Sequence, residues 1–187
     1  RSPLDVVFDF LGGTFQPLIV PITGAAMVQV LVLLLTQFGL MDPESPTALI
    51  LSAAGSALFY FLPIFVAFTA SRKLGVNPYV GAAVAAALLH PNFVGLGERG
   101  DITEAFGVPL FIYTYASTMF PSLLIALALW GLETLLKKIL PQSLQQIFVP
   151  TFELLILVPL TALVFGPIGI FVGTGIGDGT MWLQETL

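Results

Sequence analysis

The stretch RKLGVNPYVGAAVAAALLHP (residues 72–91) decides the fold. Its two leading cations stand where the end of a helix favours positive charge, and Gly75 can adopt the left-handed conformation that ends a helix. Asn77 and Pro78 suit the cap and the first turn of a new helix. The stretch therefore predicts a tight reversal between two helices at a membrane surface. The second helix is only about 20 Å long at 1.5 Å per residue before Pro91 obstructs it, and its glycine and alanine face allows close helix packing.

The composition places these helices in a membrane. Hydrophobic residues make up 57% of the 187-residue chain and charged residues only 9%, whereas about a quarter of the residues in an average soluble domain are charged. A helix of about 20 apolar residues crosses a hydrocarbon core of about 30 Å. Four uncharged segments are long enough to do so: residues 18–40, 47–70, 106–132 and 154–176. With the short helix they predict an all-α integral membrane protein of about five transmembrane helices, the third short or broken.

Shorter elements are expected at both ends of the first span. Residues 2–11 have the pattern of an interfacial amphipathic helix, and Gly12-Gly13 should break it before the first span begins near Thr14. That span does not resemble a cleaved signal peptide, because it is longer than the usual apolar core of 7–15 residues and follows acidic rather than basic residues. Residues 41–46, MDPESP, are predicted to form a tight loop.

The second half of the chain predicts a mixture of helices and loops. The polar, glycine-rich segment after Pro91 is expected to be a loop, and the β-branched and aromatic residues near 108–117 a possible short β-hairpin. A fourth helix should run from about 119 to 136. A second interfacial amphipathic helix is expected around 144–148, followed by the fifth span from about 150 to 170 and a C-terminal loop.

The cations predict the orientation. If five helices alternate across the membrane, one side carries five of the six cations: Arg1, Arg72, Lys73, Lys137 and Lys138. Only Arg99 falls on the other side. Because cytoplasmic loops are enriched in lysine and arginine, the N-terminus and the turn at 71–78 are predicted to be cytoplasmic, and the loops at 41–46 and 91–107 external.

Residues that carry chemistry are few. With one histidine and no cysteine, the chain predicts no catalytic, substrate-binding or metal-ligating residue and no cofactor. His90 is either a relay or ligand residue or, as we favour, a structural histidine at a helix end. Gln29 is expected to make an interhelical hydrogen bond rather than hold a ligand, and Glu153 to lie in the first turn of its helix. Tyr113 and Tyr115 either stack on a sugar or belong to the commoner interfacial aromatic belt.

Residues 61–91, FLPIFVAFTASRKLGVNPYVGAAVAAALLHP, resemble the signature of the membrane-embedded C component (IIC) of bacterial sugar phosphotransferase systems. The resemblance points to the glucose superfamily and its β-glucoside, sucrose and trehalose branch. Three further stretches resemble this family in the same order, at residues 8–27, 106–141 and 147–169. The resemblance covers nearly the whole chain.

The resemblance implies a permease that moves a sugar across the bacterial cell (inner) membrane and presents it to the B component, whose phosphocysteine phosphorylates it. The C component itself carries no phosphorylated residue. Residues 1–187 would form the N-terminal scaffold and dimerisation domain, and the sugar-binding histidine and glutamate would belong to a transport domain beyond them. His90 matches a different family motif from the sugar-contacting histidine. No binding residue is therefore carried over.

The implied partners are a second copy of the chain, the B component, the lipid bilayer and a sugar held through the missing C-terminal domain. No nucleic acid is expected. The alternative is a self-contained channel or secondary carrier. Such a protein needs charges or unwound polar segments near the middle of the membrane, and the predicted spans contain almost none.

Overall fold

The computed structural model describes residues 2–99, 104–109 and 114–187. Its helices are α1 (Pro3–Gln37), α2 (Pro46–Tyr60), α3 (Leu62–Lys73), α4 (Pro78–Ala87), α5 (Pro91–Arg99), α6 (Phe120–Ile139), α7 (Gln142–Leu160) and α8 (Gly166–Thr186). A π-helical turn, Thr161–Phe165, joins the last two. A short antiparallel hairpin pairs β1 (Glu104–Ala105) with β2 (Val108–Pro109).

The described residues contain four helical stretches that are long and apolar enough to span a membrane, one of which runs from α4 into α5, and the bent pair of α2 and α3 makes a fifth if it is counted as one span. The prediction of an all-α integral membrane protein with about five spans is therefore confirmed, and the protein crosses the membrane several times. Helix α3 packs against α1, α4 and α6, and α6 also contacts α7 and α8. The core lies between these helices and includes Ala67, Val84, Ala85, Ile125 and Leu129, all of which are fully buried.

The reversal between α3 and α4 forms as its sequence predicts. Helix α3 ends at Lys73, Gly75 has a φ of +79°, and the side chain of Asn77 accepts hydrogen bonds from the backbone N–H groups of residues 79 and 80. The two helices pack so closely that a side chain at Gly81 would collide with the Ser71 hydroxyl. The short third helix is also confirmed, since α4 ends at Ala87 and helical structure resumes at Pro91.

Helices α2 and α3 are together long and apolar enough for one span, and they meet at a bend of 44°. The bend was not predicted, because residues 47–70 look like one uninterrupted apolar block. Pro63 lacks the N–H group that would continue the α2 ladder. Two contacts from a distant part of the chain stabilise the bend: the Ser117 N–H donates to the Tyr60 carbonyl at 3.0 Å, and the Ser122 hydroxyl donates to the Pro63 carbonyl at 2.7 Å.

The predicted break at Gly12-Gly13 is wrong, since α1 is one helix from Pro3 to Gln37. Ser2 caps this helix, with the Asp5 N–H donating to the Ser2 hydroxyl at 3.2 Å. A glycine costs only about 1 kcal/mol in a helix interior, and here the Lys73 side chain packs over Gly13, with its Cδ 2.6 Å from where a Cβ would stand. The aliphatic stem of Lys73 thus takes the place of a side chain on α1.

Other predicted boundaries also need correction. The interfacial helix expected at 144–148 is part of α7, and the fifth span continues through the π-helical turn into α8 instead of ending near 170. The two glycine-rich segments expected as loops contain the helices α5 and α8. Gly169 in α8 lets this helix approach α6 closely: a Cβ at this position would lie only 2.6 Å from the Pro121 nitrogen.

The β-hairpin lies slightly earlier than predicted, at 104–109 rather than 108–117. Phe106 and Gly107 form its two-residue turn, with φ values of 54° and 74°. Positive φ at both central residues is typical of the type I′ turn of tight hairpins. Residues 110–113, which belong to the predicted hairpin, lie outside the described part of the chain.

Candidate functional site

A polar cavity of about 390 Å³ opens where α4 begins, α6 ends and α7 begins. We call it the α6–α7 cavity. The polar residues that line it include Asn77, Glu133, Lys137, Gln145, Gln146 and Glu153. Three separate parts of the chain contribute these residues, and the α3–α4 reversal supplies Asn77. The cavity therefore lies at the end of the bundle where the α3–α4 reversal, the C-terminal end of α6 and the N-terminal end of α7 meet.

Glu153 is the deepest polar residue of the cavity. Because α7 begins at Gln142, Glu153 lies about three turns inside the helix, and the prediction that it occupies the first turn is wrong. Its side chain is almost completely buried, with 1% of the residue exposed. Among the residues that the structure describes, no hydrogen-bond partner reaches its Oε2 atom. The helix dipole at the start of α7 therefore does not explain this carboxylate.

Glu133 and Lys137 of α6 are the other charged residues in the lining of the α6–α7 cavity. Glu133 is also buried, and the Lys137 Nζ atom lies 3.7 Å from its Oε1 atom. The pair is four residues apart on α6 in the order that stabilises a helix. Both groups interact electrostatically with Glu153. The cavity thus holds two carboxylates and one ammonium group.

Two amide side chains of the cavity are held in place by the backbone. The Gln145 Nε2 group donates to the carbonyl oxygens of Lys137 and Leu140, each at 3.0 Å, which ties the first turns of α7 to the end of α6. The Asn77 Oδ1 atom accepts the two hydrogen bonds that cap α4. Gln145 therefore keeps its Oε1 atom as an acceptor, and Asn77 keeps its amide nitrogen as a donor.

The residues singled out from the sequence lie elsewhere. His90 is exposed, and its Nδ1 atom accepts a hydrogen bond from the Asn92 N–H at 3.1 Å at the start of α5, which fits the structural interpretation. The Gln29 side chain donates to the Gly55 carbonyl of α2 at 2.9 Å, as expected. Tyr115 is buried in the core, with its ring centroid 5.9 Å from that of Phe93. It therefore neither belongs to an exposed aromatic belt nor presents a face to a sugar.

Tyr113, the other tyrosine considered for stacking on a sugar, lies outside the described residues. The sequence interpretation missed the α6–α7 cavity, although a signal for it was present. Glu133 directly follows the uncharged segment 106–132, and Glu153 directly precedes the uncharged segment 154–176. Two antiparallel neighbouring helices bring such positions to the same end of the bundle. Considered singly, Glu133 pairs with a lysine four residues later and Glu153 lies near the predicted start of a span, so neither position alone indicates a cavity.

Comparison with known proteins identifies the family. The family described as "Phosphotransferase system, EIIC" matches residues 10–187. The chain belongs to this EIIC family. The match includes all helices from α2 to α8 and most of α1, so the whole architecture described above is that of an EIIC chain. No solved structure gives a significant match.

Curated relatives of this EIIC chain carry the names of sugar-specific components. It is 44% identical over 183 residues to the "PTS system glucose-specific EIIBCA component" of Corynebacterium glutamicum, with 95% of this chain and 27% of the relative covered. It is 42% identical over 185 residues to the "PTS system beta-glucoside-specific EIIBCA component" of Bacillus subtilis, with 99% and 30% covered. Identity to the "PTS system sucrose-specific EIIBC component" of Klebsiella pneumoniae is 30% over 189 residues, with 100% and 41% covered. These names confirm the resemblance to the glucose superfamily, and the chain spans less than half the length of each relative.

Proposed function

We propose that this EIIC chain is the N-terminal scaffold and dimerisation part of a phosphotransferase-system sugar permease. The permease translocates a sugar, which its B component phosphorylates. The family match over residues 10–187 carries the proposal. The relatives' printed names add the class of sugar, namely glucose, β-glucosides or sucrose, and their combined EIIBC and EIIBCA designations support a B component as partner.

The lining of the α6–α7 cavity supports a scaffold role. A sugar site needs several polar groups that converge on one ring, usually with an aromatic face. The α6–α7 cavity has polar groups, but its lining contains no aromatic side chain. We propose that the sugar is bound by a transport domain that the rest of such a permease supplies, and that the 187 residues hold this domain and pair with a second copy.

The positions of the cations support a cytoplasmic N-terminus. Lys73 lies at the end of α3, and its Nζ atom is 3.3 Å from an Asp9 carboxylate oxygen near the start of α1. Asn77, just after the reversal, lines the same cavity as Lys137 near the end of α6. The start of α1, the reversal and the end of α6 therefore share one end of the bundle. Because lysine and arginine concentrate on the cytoplasmic side, we assign this end to the cytoplasm.

A self-contained channel or secondary carrier is the alternative, and the described spans do not favour it. Several hydroxyl groups within the spans, including those of Thr23, Ser56 and Thr174, donate to carbonyl oxygens four residues back in their own helices. The Gln29 amide nitrogen is engaged between α1 and α2. Such locally satisfied groups do not form a polar path across a membrane.

The experiment that separates the two functions measures the chemical form of the transported sugar. The complete reading frame that contains this chain is expressed in a bacterial host whose own glucose-superfamily permeases are deleted. Membrane vesicles are then loaded with phosphoenolpyruvate and the soluble phosphotransferase proteins, and given radiolabelled glucose, a β-glucoside or sucrose. We expect one of these sugars to accumulate as its phosphate, and only in vesicles that contain phosphoenolpyruvate. Accumulation of the unmodified sugar, driven by an ion gradient, would support a secondary carrier instead.

The scaffold role has a separate test. Chemical cross-linking of the purified 187-residue chain in mild detergent should trap a dimer, because closed two-fold dimers are the commonest symmetric assembly. A lysine-reactive reagent and a photoreactive reagent should give the same product over a wide range of protein concentration. A strictly monomeric chain over that range would contradict dimerisation by this part of the permease.

A further inference from the structure

We propose that the α6–α7 cavity is a binding site for one alkali cation, Na⁺ or K⁺, with Glu153 as its principal ligand. This site is distinct from any sugar site, because its lining has the charges and oxygen atoms of a cation site and lacks the aromatic face of a sugar site. The residues of the cavity alone define the site, whichever sugar the permease carries.

Glu153 is the most deeply buried carboxylate of this site. A buried ionised carboxylate is costly unless a charge or several hydrogen bonds compensate it. Glu153 is 1% exposed, and among the described residues its Oε2 atom has no hydrogen-bond partner. The same side chain lines the cavity. A positively charged group in the cavity would provide the missing compensation.

The charges of the lining determine which cation fits. Lys137 lies 3.7 Å from Glu133, and its side chain is 56% exposed. Its charge therefore balances Glu133, so that an ionised Glu153 leaves one negative charge without a counter-charge. One monovalent cation neutralises this remainder. A divalent ion would leave a net positive charge in the cavity, beside an ammonium group that repels it.

The neutral groups of the cavity point to the same class of ion. The Gln145 Oε1 atom is available because the Nε2 atom of this side chain is engaged by two backbone carbonyls. Pro150 has no N–H group, so the α-helical donor for the Gln146 carbonyl is missing, and both residues line the cavity. Carboxylate, amide and backbone oxygens are the ligands of hard cations. The cavity volume of about 390 Å³ also leaves room for water molecules around the ion.

The test is a thermal unfolding titration of the purified 187-residue chain in detergent, followed by tryptophan fluorescence. NaCl or KCl replaces choline chloride at constant ionic strength and constant pH, so that general screening does not change. We expect the unfolding midpoint to rise and saturate with at least one alkali cation, because a ligand that binds the folded state stabilises it. Choline is too large for the coordination that the site offers and serves as the baseline.

Variants connect the response to the cavity. Glu153→Gln should remain folded in choline and lose the saturable rise, and Glu133→Gln should weaken the apparent affinity at least tenfold. Glu185→Gln is the matched control, because Glu185 is exposed on α8, and it should respond like the unchanged chain. If Glu153→Gln does not fold, broadening of the ²³Na resonance by the unchanged chain, and its reversal by excess K⁺, provides an independent measurement.

Three results would overturn the proposal. The first is the same saturable rise in Glu153→Gln as in the unchanged chain. The second is no difference between alkali cations and choline, accompanied by a stability change with pH alone, which would show that a proton satisfies Glu153. The third is a rise with methylguanidinium but with neither alkali cation, which would identify the occupant as a cationic side chain of another protein segment.

Discussion

Substitution of Gly81 by alanine tests the close contact between α3 and α4. A Cβ at this position would collide with the Ser71 hydroxyl and lie 3.1 Å from both the Ala67 carbonyl oxygen and the Ser71 Cβ. The Ser71 hydroxyl can rotate, but the backbone carbonyl can move only if the two helices separate. Overpacking of this kind typically costs about 1–3 kcal/mol in a well-packed core. Gly81→Ala should therefore destabilise the protein.

Helix propensity acts in the opposite direction and must be subtracted. Alanine is favoured over glycine in a helix by about 1 kcal/mol. Gly131→Ala on α6 measures this gain alone, because nothing lies within 4 Å of the added methyl group. We expect Gly81→Ala to be less stable than Gly131→Ala by about 1–3 kcal/mol. At about 2–4 °C per kcal/mol for a chain of this size, the two unfolding midpoints should differ by about 2–12 °C.

A second substitution locates the collision. The Ser71 Oγ atom is buried and has no hydrogen-bond partner among the described residues, so Ser71→Ala alone should leave stability unchanged or slightly raise it. In the Ser71→Ala background, Gly81→Ala should cost less, because the nearest colliding atom is gone while the Ala67 carbonyl remains. Tryptophan fluorescence during unfolding in detergent measures the unchanged chain, the two single variants, the double variant and Gly131→Ala. We expect a coupling free energy of at least about 0.5 kcal/mol between Ser71→Ala and Gly81→Ala. If Gly81→Ala is as stable as Gly131→Ala, or if its cost is the same in both backgrounds, the described contact between α3 and α4 is wrong.

Three further predictions concern topology, the bend and sugar binding. In a chain without native cysteine, Glu44→Cys should react with an impermeant thiol reagent on intact cells and Ser143→Cys should react only after lysis, since both positions are exposed; the reverse pattern would invert the proposed orientation. Ser122→Ala removes the 2.7 Å hydrogen bond to the Pro63 carbonyl and should lower the free energy of unfolding by about 1 kcal/mol, as measured by denaturant titration; an unchanged value would show that the α2–α3 bend does not depend on it. Isothermal titration of the 187-residue chain with glucose, a β-glucoside or sucrose should give no saturable signal, and micromolar binding would contradict the scaffold role.

The parts of the fold that the sequence predicts well depend on local interactions. The reversal after α3 follows from Gly75 and Asn77, whose conformation and capping bonds involve only nearby backbone. The spans follow from uncharged segments, because each must satisfy its backbone groups internally in lipid. The bend between α2 and α3 is different. Its stabilising donors, Ser117 and Ser122, lie more than 50 residues along the chain from their acceptors, and no local pattern indicates them.

The glycine-rich segments show why the remaining boundaries were not predictable. A glycine weakens a helix by about 1 kcal/mol in isolation, which favours a loop when only the sequence is considered. In α8, however, Gly169 and Gly173 allow α6 to approach so closely that a Cβ would lie within 3 Å of Pro121 and Phe120. The packing gained from this approach offsets the propensity lost. Whether a glycine ends a helix or permits a contact depends on the neighbouring helix, which the local sequence does not reveal.

The sequence does not reveal the α6–α7 cavity, because its patterns place the start of the last span near residue 150, inside α7. A span that begins near residue 150 would place Glu153 in a first turn, where the helix dipole stabilises a carboxylate. Helix α7 instead begins at Gln142 and contains Pro150 in its interior. The shift of about two turns has two consequences: Glu153 moves into the buried part of the bundle, and the Gln146 carbonyl loses its α-helical donor. Glu153, whose Oε2 atom has no partner among the described residues, and Gln146, whose carbonyl lacks its α-helical donor, line the same cavity. This juxtaposition is the reason to expect a cation there.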